Sequence, residues 1–293
     1  MIVRDTGAGD VRGDLKAVLK ELSNLSSRIQ AIERRTEQLA TLRAEDGDVE
    51  ARIAQLERVL DFERVDLHAR DAVSKAQLLD GPVPRLEASG LLPLDVFQAL
   101  VEAIPARVFL DGRVAHEQEL RVPPRLAPTY SIVTWGFLTE VVLKVLSQAL
   151  MTRFEDSLGV YLRARFPSLP PLSQSGMEIT LSEGRITRRT SGWVGHSAAE
   201  RPWDLLTGVL HLKSEAVDGS LQTKPSPFQP NGLLAFLGPQ GAHSFAAIPD
   251  SALGETEFYS YEFGIGPTRE ARRALTSMMG ASEPVQGSPL VSR

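Results

Sequence analysis

The sequence contains no cysteine. That absence excludes disulfides, thiolate metal ligands and a catalytic thiol, so any metal must be held through nitrogen and oxygen. Basic residues are outnumbered, 32 against 37 acidic ones, for a formal charge of −5. Nothing in that balance points to a nucleic-acid partner. Long apolar runs are missing as well: Phe137 to Leu150 is too short for a membrane span and is interrupted by Glu140 and Lys144. The start, Met-Ile-Val-Arg-Asp-Thr-Gly-Ala-Gly-Asp, has no apolar core of signal-peptide type. A cytoplasmic protein is the expectation. Glycine-rich phosphate loops, a nucleophile elbow and zinc-ligand spacings are also absent. What is present is an ordinary globular composition of 293 residues, 42% hydrophobic and 24% charged, enough for one substantial domain with an appendage.

Three regions of different character follow one another. From about Asp14 to Phe62 the pattern is helical. Leu15, Val18, Leu22, Leu25, Ile29, Ile32, Thr36 and Leu39 are spaced alternately by three and four, a heptad seam along one face. The phase shifts at Leu42, passes Glu45-Asp46-Gly47-Asp48 and resumes at Val49, Ile53, Leu56 and Leu60. The glycine marks either a break between two helices or a stutter in one. So narrow a stripe does not bury itself, and the expectation is that it pairs, within a helical hairpin or between subunits. Self-association through these heptads is therefore the expected partnership.

From about Arg85 to Pro171 the chain reads as mixed helix and loop. Leu94, Phe97, Leu100, Val101 and Ile104 form a helical face closed by Pro105. Further helices are predicted over roughly Thr134 to Leu150 and Thr152 to Phe166, after a proline-punctuated extended segment that begins at Val122.

The third region turns to strand character. Alternation on both sides of Ser182-Glu183-Gly184 predicts a hairpin over Met177 to Arg189. More strands are predicted at Asp204 to Lys213, Leu221 to Lys224, Gly232 to Leu237, His243 to Ile248 and Glu257 to Ile265. The fold class is α+β: heptad helices, a helical segment, then a double-sheet jelly roll. The expected divisions are 1–62 for the heptad segment, 63–280 for the jelly-roll domain with its helical leader, and 281–293 for a Ser/Pro/Gly-rich disordered tail.

Particular residues carry a family resemblance. Asn231-Gly-Leu-Leu-Ala-Phe-Leu-Gly-Pro-Gln-Gly-Ala-His-Ser-Phe-Ala-Ala-Ile-Pro resembles the second histidine motif of iron- and 2-oxoglutarate-dependent oxygenases. Phe258-Tyr-Ser-Tyr-Glu-Phe-Gly-Ile-Gly-Pro resembles the strand that closes it. Trp203-Asp-Leu-Leu-Thr-Gly-Val-Leu-His-Leu resembles the strand after the first metal motif, and Leu91-Leu-Pro-Leu-Asp-Val-Phe-Gln-Ala-Leu-Val-Glu-Ala-Ile-Pro the helical leader of bacterial members. The resemblance covers roughly Arg85 to Pro267. It implies a double-stranded β-helix and, where active, Fe(II) held by His-x-Asp and a distal histidine, with an arginine for the far carboxylate of 2-oxoglutarate.

Carried over residue by residue, the resemblance places the distal histidine at His243. With Gly192-Trp193 and Thr207 as fixed points, the first histidine slot falls on Ala198 and the acid slot on Glu200, while His196 stands two residues early. The arginine slot holds Phe258. Three readings stay open. The metal site is lost; or His196, Glu200 and His243 form an unusual triad, their backbone bulged; or His196 aligns as the histidine with Ala198 in the acid slot, as in iron halogenases. Arg185, Arg188, Arg189 and Arg201 are the nearby cations, with Arg189 and Arg201 the candidates to hold the cosubstrate. On the exposed face of a hairpin such arginines face solvent. His211 reads as core or pocket lining, and His68 and His116 as surface residues. The functional expectation is an oxygenase-fold protein that has lost the usual iron and 2-oxoglutarate chemistry and acts in binding and assembly. The alternative is an active, atypical oxygenase that uses Fe(II) and 2-oxoglutarate on a small-molecule or carrier-bound substrate.

Overall fold

A computed structural model describes residues 8–45, 49–79, 81, 83–114, 117–122, 124, 126–171, 174–182, 184–190, 202–216, 229–238 and 256–278. The chain opens with a long helix α1 (Ala8–Glu45), followed by α2 (Val49–Val59) and α3 (Phe62–Lys75). Asp61 caps α3 by accepting from the backbone N–H of Arg64 at 2.9 Å, the role an N-cap aspartate performs for an orphan donor. Helix α4 (Leu94–Glu102) starts after Pro93, and α5 (Thr129–Phe137) after Pro128. In both, the ring fixes φ just ahead of the first turn. A π-helical turn at Leu138–Val142 joins α5 to α6 (Leu143–Arg153), and α7 (Glu155–Arg165) follows.

By length and composition the run Thr129–Arg153 could cross a membrane. Here it is a core element: Trp135, Leu138, Val142, Leu143, Leu146 and Leu150 are all buried in the main hydrophobic cluster. Trp135 is fully buried and stacks on Tyr261, ring centroids 5.5 Å apart. Its indole N–H donates to the Ala103 carbonyl at 2.8 Å, which spares a buried polar atom the desolvation penalty.

Among the described residues, nine strands make one antiparallel sheet: β1 (Gln77–Leu79), β2 (Arg85–Ala88), β3 (Asp111–Val114), β4 (Glu117–Val122), β5 (Ile179–Leu181), β6 (Gly184–Thr190), β7 (Leu206–Ala216), β8 (Leu233–Leu237) and β9 (Thr256–Pro267). The order is β1-β2-β8-β7-β9-β6-β4-β3, with β5 also on β9. A last helix, α8 (Arg269–Met278), follows β9. The protein is thus a mixed helix and antiparallel-sheet structure, and β7, β8 and β9 fall where alternation predicts them. The predicted strands at Leu221 to Lys224 and His243 to Ile248, and the tail from 281, lie outside the described residues. All described strands belong to this single sheet.

Two expectations need correction. The region read as helix and loop, Arg85 to Pro171, also supplies β2 to β4. Nor is Ser182-Glu183-Gly184 the turn of a hairpin. Strands β5 and β6 pair with β9, not with each other: Leu181 lies opposite Ile265 and Arg185 opposite Glu262, so the chain runs on in one direction. The glycine is there for proximity. A Cβ on Gly184 would stand 1.8 Å from the Tyr261 hydroxyl, so only glycine lets that ring lie across β6.

Alternation along the central strand sorts the sheet into two faces. Tyr259, Tyr261 and Phe263 of β9 point to the helices, with Ile186, Leu206, Leu210, Leu233 and Ala235 in the same buried cluster. Helix α2 belongs to this body: Leu56 is 2% exposed in the core, and the Arg52 guanidinium lies 4.1 Å over the Tyr130 ring. Ser260, Glu262 and Gly264 alternate with those aromatics and point to the opposite face.

Candidate functional site

The face away from the helices is polar and buried. Register places Arg189 opposite Glu117 on one side and Phe258 on the other, Thr187 opposite Glu119 and Ser260, and Arg185 opposite Glu262. His211 of β7 lies opposite Ser260. Directly paired residues share a face, so Glu117, Glu119, Arg185, Thr187, Arg189, His211, Ser260 and Glu262 form one continuous patch. Most are nearly inaccessible: Thr187 is 0% exposed, His211 6%, Arg189 7%, and Glu117 and Glu262 each 8%.

Burying so many charges requires that they satisfy one another. The Arg189 Nε donates to Glu117 Oε1 at 2.9 Å, a second guanidinium nitrogen stands 2.8 Å from the same oxygen, and the guanidinium also pairs with Glu262. Arg185 donates to Glu119 at 2.9 Å and reaches Glu262 at 3.4 Å. Glu262 thus bridges two arginines four residues apart on β6. Between them the Thr187 and Ser260 hydroxyls are hydrogen-bonded at 2.7 Å. Arg121, opposite Arg185 on the same face, adds a third and exposed arginine to the three carboxylates, so the charges of the face balance, and the excess of carboxylate is local to Arg189, which pairs with both Glu117 and Glu262.

His211 stays neutral in this setting. Burial pushes its pKa down to about 4, the positive charge of Arg189 acts the same way, and Glu262 only partly offsets them. A neutral imidazole offers either a ring N–H or a lone pair, and the tautomer is set by its surroundings. The sequence reading of His211 as buried lining agrees with its position.

Arg188 points to the helix side, as its even place in β6 requires. It donates to Glu257 at 2.8 Å and to Gln118 at 2.9 Å. Glu257, 2% exposed, is also paired with Arg107 and accepts from the Tyr259 hydroxyl at 3.1 Å. The Arg188 hydrogen bond holds the Glu257 carboxyl below its ordinary pKa, and that carboxylate raises the pKa of Arg188 in turn. The expectation that these arginines face solvent is therefore corrected: Arg185, Arg188 and Arg189 are all drawn into buried or half-buried ion pairs.

Of the residues proposed from the sequence, Arg189 is placed on the polar face. Its cross-strand partner is Phe258. His196, Glu200, His243 and Arg201 lie outside the described residues, as do Ala198 and His116. Among the described residues no group of three or more His, Asp or Glu side chains is placed to hold a metal ion. His68 is exposed on α3, with Nε2 2.9 Å from the Gly90 carbonyl. Sequence reasoning missed Glu117, Glu119 and Glu262. The alternation Glu117-Gln-Glu-Leu-Arg-Val was a usable signal for two of them.

No protein-family model matches the sequence, and no curated protein matches it. Among solved structures, an oxidoreductase of the 2OG-Fe(II) oxygenase family from Burkholderia pseudomallei is 11% identical, with 70% of this chain and 90% of that one covered and a TM-score of 0.33. Prolyl 4-hydroxylases from Phytophthora capsici match at 12% identity, covering 71% of this chain and 66% of that one, with a TM-score of 0.30. The Fe(II)/α-ketoglutarate-dependent dioxygenase TqaL matches at 10% identity over 70% and 87% of the two chains, again at 0.30.

Proposed function

We propose that this chain is an oxygenase-like jelly-roll protein that works in binding and assembly, without the usual 2-oxoglutarate chemistry. The supporting observation is the setting of Arg189. It stands beside the position that carries the cosubstrate arginine in the resembled family, yet Glu117 and Glu262 already neutralise its guanidinium. A carboxylate of 2-oxoglutarate arriving there would meet two protein carboxylates at close range. In a poorly screened interior that repulsion outweighs the gain from one shared arginine. Among the described residues, Glu117 and Glu262 beside Arg189 do not suit the cosubstrate. The same cluster suits a neutral or cationic ligand, which the carboxylates, His211, Thr187 and Ser260 would meet with hydrogen-bonding groups.

In the alternative reading, His196, Glu200 and His243 hold Fe(II), and Arg201 takes the part that Arg189 does not. The two readings differ in one spectrum. Anaerobic Fe(II) with 2-oxoglutarate, added to the full chain, should give no visible charge-transfer band under the reading preferred here. A band that appears with 2-oxoglutarate and disappears in His243→Ala would establish the alternative.

A further inference from the structure

The apolar seam of α1 is unburied over its whole described length. Val18 is 52% exposed, Leu22 56%, Leu25 45%, Ile29 56%, Ile32 64% and Leu39 46%. The rest of the chain takes hold of a different face. Arg34 forms an ion pair with Asp111 at 2.6 Å and donates to the Leu110 carbonyl at 2.7 Å, and Gln38 donates to the Val108 carbonyl at 3.0 Å. With Leu22 and Ile29 as heptad position a and Leu25 and Ile32 as d, Arg34 falls at f and Gln38 at c, on the side away from the seam. Helix α2 does not close over the seam, because its Leu56 is committed to the core. A stripe this long and apolar is not left to water in a stable assembly.

We infer that the seam is covered by α1 of a second copy of this chain, running antiparallel, in one defined register. The argument is charge complementarity. In an antiparallel pair the partner is turned end for end, so each flanking position meets the same heptad letter across the interface: g faces g, and e faces e. Let Leu22 pack against the partner's Leu25 and Ile29 against the partner's Val18. Glu21 then faces the partner's Arg28, and by the twofold axis Arg28 faces the partner's Glu21. No like charges meet. Sliding by one heptad in one direction sets Glu21 on the partner's Glu21, and in the other direction Arg28 on the partner's Arg28. An in-register parallel pair has one complementary combination, Arg28 with the partner's Glu33, and leaves Glu21 facing Ser26. Opposite charges at e and g select partner and orientation in coiled coils, and a symmetric pair is the commonest way for a chain to bind itself. The helix of 38 residues is about 57 Å long at 1.5 Å per residue. Its own body grips it near the carboxyl-terminal end, so antiparallel pairing carries the two bodies to opposite ends of the rod. This inference rests on α1 and holds under either reading of the iron site.

The test is a charge-swap cycle on the full chain, read as the dimer dissociation constant by sedimentation equilibrium. Glu21→Arg alone and Arg28→Glu alone each turn two attractive contacts into two repulsive ones, and each should weaken the dimer about tenfold. The double variant, Glu21→Arg with Arg28→Glu, restores the pairing and should return to within about twofold of the wild-type constant. Both residues are exposed on α1, so folding is not at stake, and an unchanged far-ultraviolet spectrum checks this. Three outcomes overturn the inference: a wild-type chain that stays monomeric at tens of micromolar; a Glu21→Arg variant that dimerises as the wild type does, the parallel result; or a double variant no better than its worse single parent.

Discussion

Arg189 and Phe258 are cross-strand partners on the buried polar face of the sheet. An uncompensated guanidinium at that position would be costly, and Glu117 and Glu262 supply its countercharge. Removing the arginine therefore takes from Glu117 and Glu262 the guanidinium they share and leaves Glu262 with Arg185, where Glu117 and Glu262 are each 8% exposed. Arg189→Met is expected to destabilise the fold by about 3 kcal/mol, the scale for breaking a buried pair from one side. Arg189→Lys keeps the charge but loses the forked geometry, and should lie between the two. Urea denaturation at pH 7 checks both. A loss under about 1 kcal/mol for the methionine variant would mean the ladder is solvated.

Stability should also carry a signature of His211. Its folded pKa of about 4 lies below the ordinary value of 6.5 because of burial first and Arg189 second. Between those two values the unfolded chain binds a proton that the folded chain does not. Stability is thus full above about pH 6.5, falls as the pH drops through the window, and levels off for this group below about 4. The upper bound is about 3 kcal/mol at 1.36 kcal/mol per pH unit. His211→Asn should flatten the stability profile between pH 5 and 6.5. Ring proton shifts showing an imidazolium at pH 5.5 would contradict the account.

Gly208 tests how tightly the apolar face is closed. It pairs with Phe263, and a Cβ placed there would lie 2.2 Å from the edge of the Phe263 ring. The ring cannot retreat, since Phe263 is fully buried against Tyr261, centroids 6.2 Å apart. Gly208→Ala is expected to cost about 1–3 kcal/mol as an overpacking substitution. Gly208→Ala combined with Phe263→Leu should cost less than the two separate losses added together, because one change makes room for the other. Thermal melts of the four proteins in that cycle decide it.

Legibility in the sequence followed the simplicity of the period. The heptads of α1, the helical faces of α4 to α7 and the alternation of β7 to β9 each place apolar residues on one side. Strand β4 was hidden because both of its faces are occupied in an unusual way. Leu120 and Val122 point to the core, but Glu117 is buried and Glu119 half-buried, and their charges read as solvent when the arginines that neutralise them lie some seventy residues on in the chain. The Ser182-Glu183-Gly184 stretch misled for a related reason: its glycine serves the distant Tyr261 ring, not a local turn. Nothing local could have announced the Arg189 clamp, which takes one carboxylate from β4 and another from β9.

The central claim is that Arg189 is closed to an oxoacid by Glu117 and Glu262, and anaerobic calorimetric titration of 2-oxoglutarate into the Fe(II)-supplemented full chain tests it most directly. The account expects no saturable heat up to about millimolar 2-oxoglutarate, where binding free energy is only about −4 kcal/mol, for the wild type and for Arg189→Lys alike. Saturable binding at micromolar concentration, abolished by Arg189→Lys, would contradict it.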